Sequence, residues 1–156
     1  MRRCTLRAVP VCFVVFACGC FLTGGNHGSG QRPGMSLTQY YWAEVGNILA
    51  RKPDGKDFVS MVNLVRLQTD RLRELRTEGV DPDLVAAVDK VIKCEEEVLR
   101  QAEMIDNDPA RLKTSKEQAH VFADANRAAA DAKKRVKALQ PTLNTRHGGG
   151  FVALGG

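Results

Sequence analysis

The chain has 156 residues, 44% of them hydrophobic, 26% charged and 6% aromatic, with a formal net charge of +5. That length bounds it to one modest domain plus extensions, and so few aromatics leave a core of aliphatic side chains and alanine. Three of the 23 basic residues, Arg2, Arg3 and Arg7, lie in the first seven, no acid occurs before Glu44, and without those three 20 bases face 18 acids. A near-balanced, interspersed surface argues against a nucleic-acid partner, which requires a concentrated basic face. Cys4, Cys12, Cys18 and Cys20 crowd the first twenty residues and Cys94 stands alone in the body, which is not a disulfide framework.

The N-terminus reads as a targeting segment. Met1 to Arg7 is basic, and Ala8 to Ala17, AVPVCFVVFA, is apolar throughout. The run is too short to span a hydrocarbon core of about 30 Å as a helix and has the length of a signal-peptide apolar region. Val15-Phe16-Ala17-Cys18 resembles the lipobox of bacterial lipoproteins, as does Ala17-Cys18-Gly19-Cys20. The resemblance implies cleavage just before the cysteine and acylation of its sulfur, at Cys18 or alternatively at Cys20. It departs from the family's usual leucine at the first position, and Phe16 is bulky. The implied signal peptide covers 1–17. Gly24 to Gly34, GGNHGSGQRPG, then reads as part of a flexible tether over 18–35. Its reach is roughly 20–25 Å by glycine-linker scaling. His27 is a solvated linker residue in this reading.

Residues 36–140 read as a helical bundle. Ser36 is a natural N-cap for a first helix, Leu37 to Arg51, with Tyr41, Val45 and Ile48 on one side and Trp42 and Leu49 beside them. The Tyr40-Tyr41-Trp42 cluster is core plus a half-exposed ring. Lys52-Pro53-Asp54-Gly55 is a turn. Asp57 to Glu78 predicts the helix around which the rest is organised. Phe58, Val65 and Leu72 recur at seven, Met61, Gln68 and Leu75 form a second row, and Gly79 stands as C′. Asp81 at N-cap and Pro82 at N1 open a third helix to Ile105. Its rows are Val85, Ile92 and Leu99, then Val88, Glu95 and Ala102, flanked by Leu84, Val91, Val98 and Ile105. Asp108 caps a fourth helix, Ala110 to Leu139, whose apolar row is Phe122, Ala125, Ala129, Ala132, Val136 and Leu139. Pro141 stops it, and 141–156 reads as a disordered tail. The fold expected is all-α, an up-and-down bundle of three long helices plus a shorter N-terminal one.

The chemistry-bearing residues give no catalytic constellation. Glu117 and His120 make one Glu-x-x-His pair, and a di-iron site needs a second pair and two further carboxylates. The members of Glu95-Glu96-Glu97 point 100° apart and read as a solvated face. Lys133, Lys134, Arg135 and Lys137 complement the helix dipole, with anionic headgroups as the alternative. Cys94 reads as a small buried side chain, with a reactive thiol or a bond to Cys20 as alternatives. His147-Gly148-Gly149-Gly150 mimics a lipase oxyanion loop but lacks a sheet and a nucleophile elbow. Neither an enzyme, a cofactor nor a metal is expected. The segment GVDPDLV, Gly79 to Val85, is similar to a stretch in small helical envelope proteins of planctomycete-type bacteria, a resemblance that carries no activity. The functional expectation is a lipid-anchored scaffold or interaction module of the bacterial envelope. The alternative is a periplasmic small-ligand module. Self-association through a seam at Gln68 and Glu95 is a third reading.

Overall fold

The computed structural model describes residues 34–107 and 116–154, all helix and connection with no strand among them. The signal peptide over 1–17, most of the tether, and the Asp108–Pro109 cap lie outside the described residues. The helices are α1 (Leu37–Leu49), α2 (Phe58–Arg73), α3 (Pro82–Asn107), α4 (Lys116–Ala138) and α5 (Gln140–His147).

The first three helix starts have local causes. Ser36 forms a capping box with Gln39, Ser36 Oγ accepting from the Gln39 amide at 3.2 Å and Gln39 Oε1 accepting from the Ser36 amide at 2.9 Å. Asp57 caps α2 through the Ser60 amide and hydroxyl, at 2.9 and 2.7 Å. Those bonds hold the Asp57 carboxyl below its ordinary range. Asp81 Oδ1 accepts from the amides of Asp83 and Leu84 at the head of α3.

Cross-helix contacts set the directions. Phe58 stacks obliquely on Phe122 and Gln68 meets Lys133, so α2 and α4 run parallel. Gln101 meets Gln118 and Glu95 meets Lys133, so α3 runs antiparallel to α4. Thr38 meets Asp81 beyond the end of α2, and Ile48 meets Gln68 within it, so α1 runs antiparallel to α2. The all-α bundle expected from the sequence is the fold.

The core is the aliphatic one that the composition requires. Trp42, Val45, Leu84, Val88, Val91, Val136 and Leu143 are its fully enclosed members. Burial, and second the charge of Asp89, pushes the Tyr41 hydroxyl up to about 12. Ala125, Ala129 and Ala132 turn inward from α4 and let α3 approach closely, making α3 with α4 the most extensive helix pair.

Four expectations are corrected. The α2 helix ends at Arg73, not Glu78, and Gly79 takes its positive φ of 77° inside the Thr77–Val80 turn. Leu75 and Val80 pack on the core from this non-helical stretch. The α2 helix is also not the organising element: Val59 and Met61 remain 62% and 47% exposed. On α3, the expected row Val88, Glu95 and Ala102 is buried, and so is the row taken as flanking, Leu84, Val91, Val98 and Ile105, while Val85, Ile92 and Leu99 sit at the margin. The inward face is thus shifted away from the Val85 row, toward Leu84 and Cys94.

The fourth correction concerns 141–156. Pro141 does not end the structure; it occupies the first turn of α5, where a missing amide is harmless. Leu143 and Phe151 are buried, and described residues continue to Leu154. Glycine-rich composition suggested disorder, but two apolar anchors and a set of polar contacts with α1 and α3 supply the ordering free energy.

Candidate functional site

The polar interior is the part of the molecule that hydrophobic periodicity does not explain. Glu95 on α3 is completely buried, and Lys133 Nζ on α4, with its side chain 28% exposed, lies 2.7 Å from Glu95 Oε1. Oε1 makes no hydrogen bond, so this contact is coulombic rather than directional. Lys133 Nζ also donates to Gln68 Oε1 at 2.9 Å, and Gln68 Nε2 donates to the Ile48 carbonyl at 3.2 Å. Thr69 Oγ1 lies 2.9 Å from the Val65 carbonyl and 3.1 Å from Glu95 Oε2. One hydroxyl proton serves both acceptors, so it is shared or alternates. A single polar layer thus ties α1, α2, α3 and α4 together.

A second layer lies one to two turns along. Buried Gln101 donates to Glu97 Oε1 at 2.7 Å and accepts from Gln118 at 2.8 Å. The Arg100 guanidinium, then Gln101, hold the Glu97 carboxyl down at about 2. Glu96 pairs with Arg73 on α2.

A charged corner sits at the head of α3. Asp81 is 6% exposed. Its Oδ2 is 3.0 Å from His147 Nε2 and 3.2 Å from Arg146 Nη1, and Arg146 also meets Asp83 at 2.6 Å. Burial raises the Asp81 carboxyl, but the His147, Arg146, Leu84 and Asp83 donors outweigh it, so the net direction is down. Asp83 and Asp81 hold the Arg146 guanidinium above its ordinary value. These ion pairs pin α5 to α3.

The sequence-predicted candidates fall as follows. Cys18 and Cys20, the lipidation candidates, lie outside the described residues. Cys94 is a free, buried thiol on the core face of α3. Glu117 and His120 are exposed on α4, and no group of three His, Cys, Asp or Glu suited to a metal occurs among the described residues. The acidic triplet is a solvated face only in part: Glu95 is enclosed, while the Glu96 and Glu97 side chains are 42% exposed and paired with Arg73 and Arg100. Lys133 does not belong to the solvated basic run but turns inward. The seam expected at Gln68 and Glu95 is closed by Lys133 within one chain. The signal for Glu95 was present, since it stands seven residues after Val88 and seven before Ala102 in a core row. Lys133 gave no signal, because its long stem reaches the core from a flank.

An open groove of about 360 Å³ lies between the α1–α2 connection and α2, lined by Arg51, Lys52, Asp54, Ser60, Asn63 and Leu67 among others. Among the described residues no helix is long and apolar enough to cross a membrane. Compared with known proteins, the chain matches no family model, no curated protein and no solved structure.

Proposed function

We propose that this chain is a non-catalytic, lipid-anchored helical protein of the bacterial envelope that serves as a scaffold or protein-interaction module. The anchor is supported by the basic start, the short apolar run and Cys18 after Ala17, with Cys20 as the alternative acylation point. The interaction role is supported by one observation above the others. The ordered helix α2 carries apolar side chains it does not bury, with Val59, Met61, Phe58 and Leu67 exposed along it. The buried ionisable groups supply no competing chemistry in this reading, because Glu95 and Asp81 each face a cation from another helix.

The intact mass of membrane-extracted protein tests the anchor, since it reads cleavage and acylation together. A diacylglyceryl-modified Cys18 or Cys20 is expected, with unprocessed precursor accumulating under globomycin. Normal maturation under the drug refutes it. A photoreactive residue in place of Met61 tests the interaction role in envelope fractions. It is expected to give discrete adducts, and adducts to itself alone would assign the face to self-association.

The groove beside α2 favours a second reading, a periplasmic module for a small ligand, because its volume falls within the ~300–1,000 Å³ typical of such sites. That reading requires a thermal shift with at least one compound of a metabolite panel.

A further inference from the structure

The segment that follows α5 is held in the way a protein holds a peptide. Gly148, Gly149 and Gly150 all take positive φ, at 74°, 97° and 88°, and turn the chain back over α1. Beyond them the main chain has no helical or strand partners and is gripped by side chains. Asn144 takes both polar groups of Phe151, accepting from its amide at 3.0 Å and donating to its carbonyl at 3.1 Å. Gln140 donates to the same carbonyl at 2.8 Å. Gln39 donates to the Gly149 carbonyl and the Trp42 indole to the Val152 carbonyl, each at 2.8 Å. Backbone groups are read here irrespective of side chain, as in grooves that take extended peptides.

Side-chain selection comes from two positions. Phe151 is 3% exposed and meets Trp42 edge-on, ring centres 6.0 Å apart at 76°. Leu154 fills a notch that exists because residue 46 is glycine: a Cβ there would lie 2.6 Å from Leu154 Cδ2. Val152 and Ala153, between the anchors, face outward. The pattern is in, out, out, in over a segment that is neither helix nor strand, so the two anchors stand three residues apart on non-helical chain.

We propose that residues 149–154 are a displaceable strap over a peptide-binding cleft formed by α1 and α5. The partner that fits is an extended, uncharged peptide with a phenylalanine and a leucine three positions later, which would take the cleft when the strap is out. This surface is separate from the exposed row of α2 and does not depend on membrane anchoring.

The chain has a single tryptophan, Trp42, and it lies under the strap, so its emission reports occupancy. The test uses the full chain carrying Phe151→Ser and Leu154→Ser, with the synthetic peptide GGGFVALGG as probe. With helicity retained, Trp42 emission is expected to move to longer wavelength. The peptide should return it saturably, and the same peptide with both anchors changed to serine should not. Wild type should bind the peptide at least tenfold more weakly, because its own strap competes. A helical variant that ignores the peptide at millimolar concentration, or responds equally to both peptides, overturns the proposal. So does equal affinity in variant and wild type. If the double variant loses helicity, Gly149→Ala replaces it. That position has open space around it but positive φ, so the substitution strains only the turn. It should open the strap and tighten peptide binding by roughly tenfold over wild type. Unchanged affinity in that variant counts equally against the proposal.

Discussion

Replacing Lys133 by methionine keeps the aliphatic stem and removes the cation that faces the fully buried Glu95 carboxylate. Glu95 is left with the Thr69 hydroxyl as its remaining donor, and that proton is also wanted by the Val65 carbonyl. Breaking a buried pair from one side costs about 3–5 kcal/mol. Because the Lys133 side chain is 28% exposed, water reaches the vacated position and reduces this to about 2–4 kcal/mol. Gln68 Oε1 loses its donor as well, adding about 1 kcal/mol. With a urea slope of about 2 kcal/mol/M, the midpoint should fall by about 1.5–2.5 M. The partner experiment is Lys133→Met with Glu95→Leu. It removes both charges, leaves Thr69 its Val65 acceptor, and should return stability to within about 1–2 kcal/mol of wild type. Urea melts followed by far-UV circular dichroism on the four members of the cycle give the coupling energy. A Lys133→Met protein within about 0.5 kcal/mol of wild type would refute the inference that this layer is an interior ion pair, since exposed pairs are worth that little.

Acid should loosen the corner at Asp81. Its folded-state carboxyl is held low, so its contribution is complete above the ordinary carboxylate value of about 3.9 and is lost as pH falls below that through the folded value. Trp42 fluorescence should register the loss as pH falls below about 4, and Asp81→Asn should flatten that part of the profile. Gly79→Ala should destabilise by about 1–2 kcal/mol in thermal melts. The reason is its φ of 77°, together with an added Cβ only 2.9 Å from Leu37 Cδ1. Ala129→Leu should cost about 1–3 kcal/mol or more, by forcing the closely packed α3 and α4 apart. An unchanged midpoint for that variant would mean the alanine row does not set the helix separation.

What the residues determined by themselves was local and periodic. Ser36, Asp57 and Asp81 announce their helices because a capping oxygen two or three residues from free amides acts within one turn. The alanine row of α4 and the core face of α1 were legible because a 3.6-residue period is a property of the chain alone. What only the tertiary structure decided was which polar groups meet and where each apolar face is aimed. Glu95 stands in a core row, seven residues from Val88 and from Ala102, but nothing nearby in sequence says that its partner is a lysine 38 positions later. Residues 140–154 look dispensable by composition, yet they fold because Trp42 and Asp81, distant in sequence, offer a ring, an indole proton and a carboxylate. Periodicity acts through neighbours on the chain. Burial of charge and the docking of a glycine-rich segment depend on partners that only the assembled helices bring within a few ångströms.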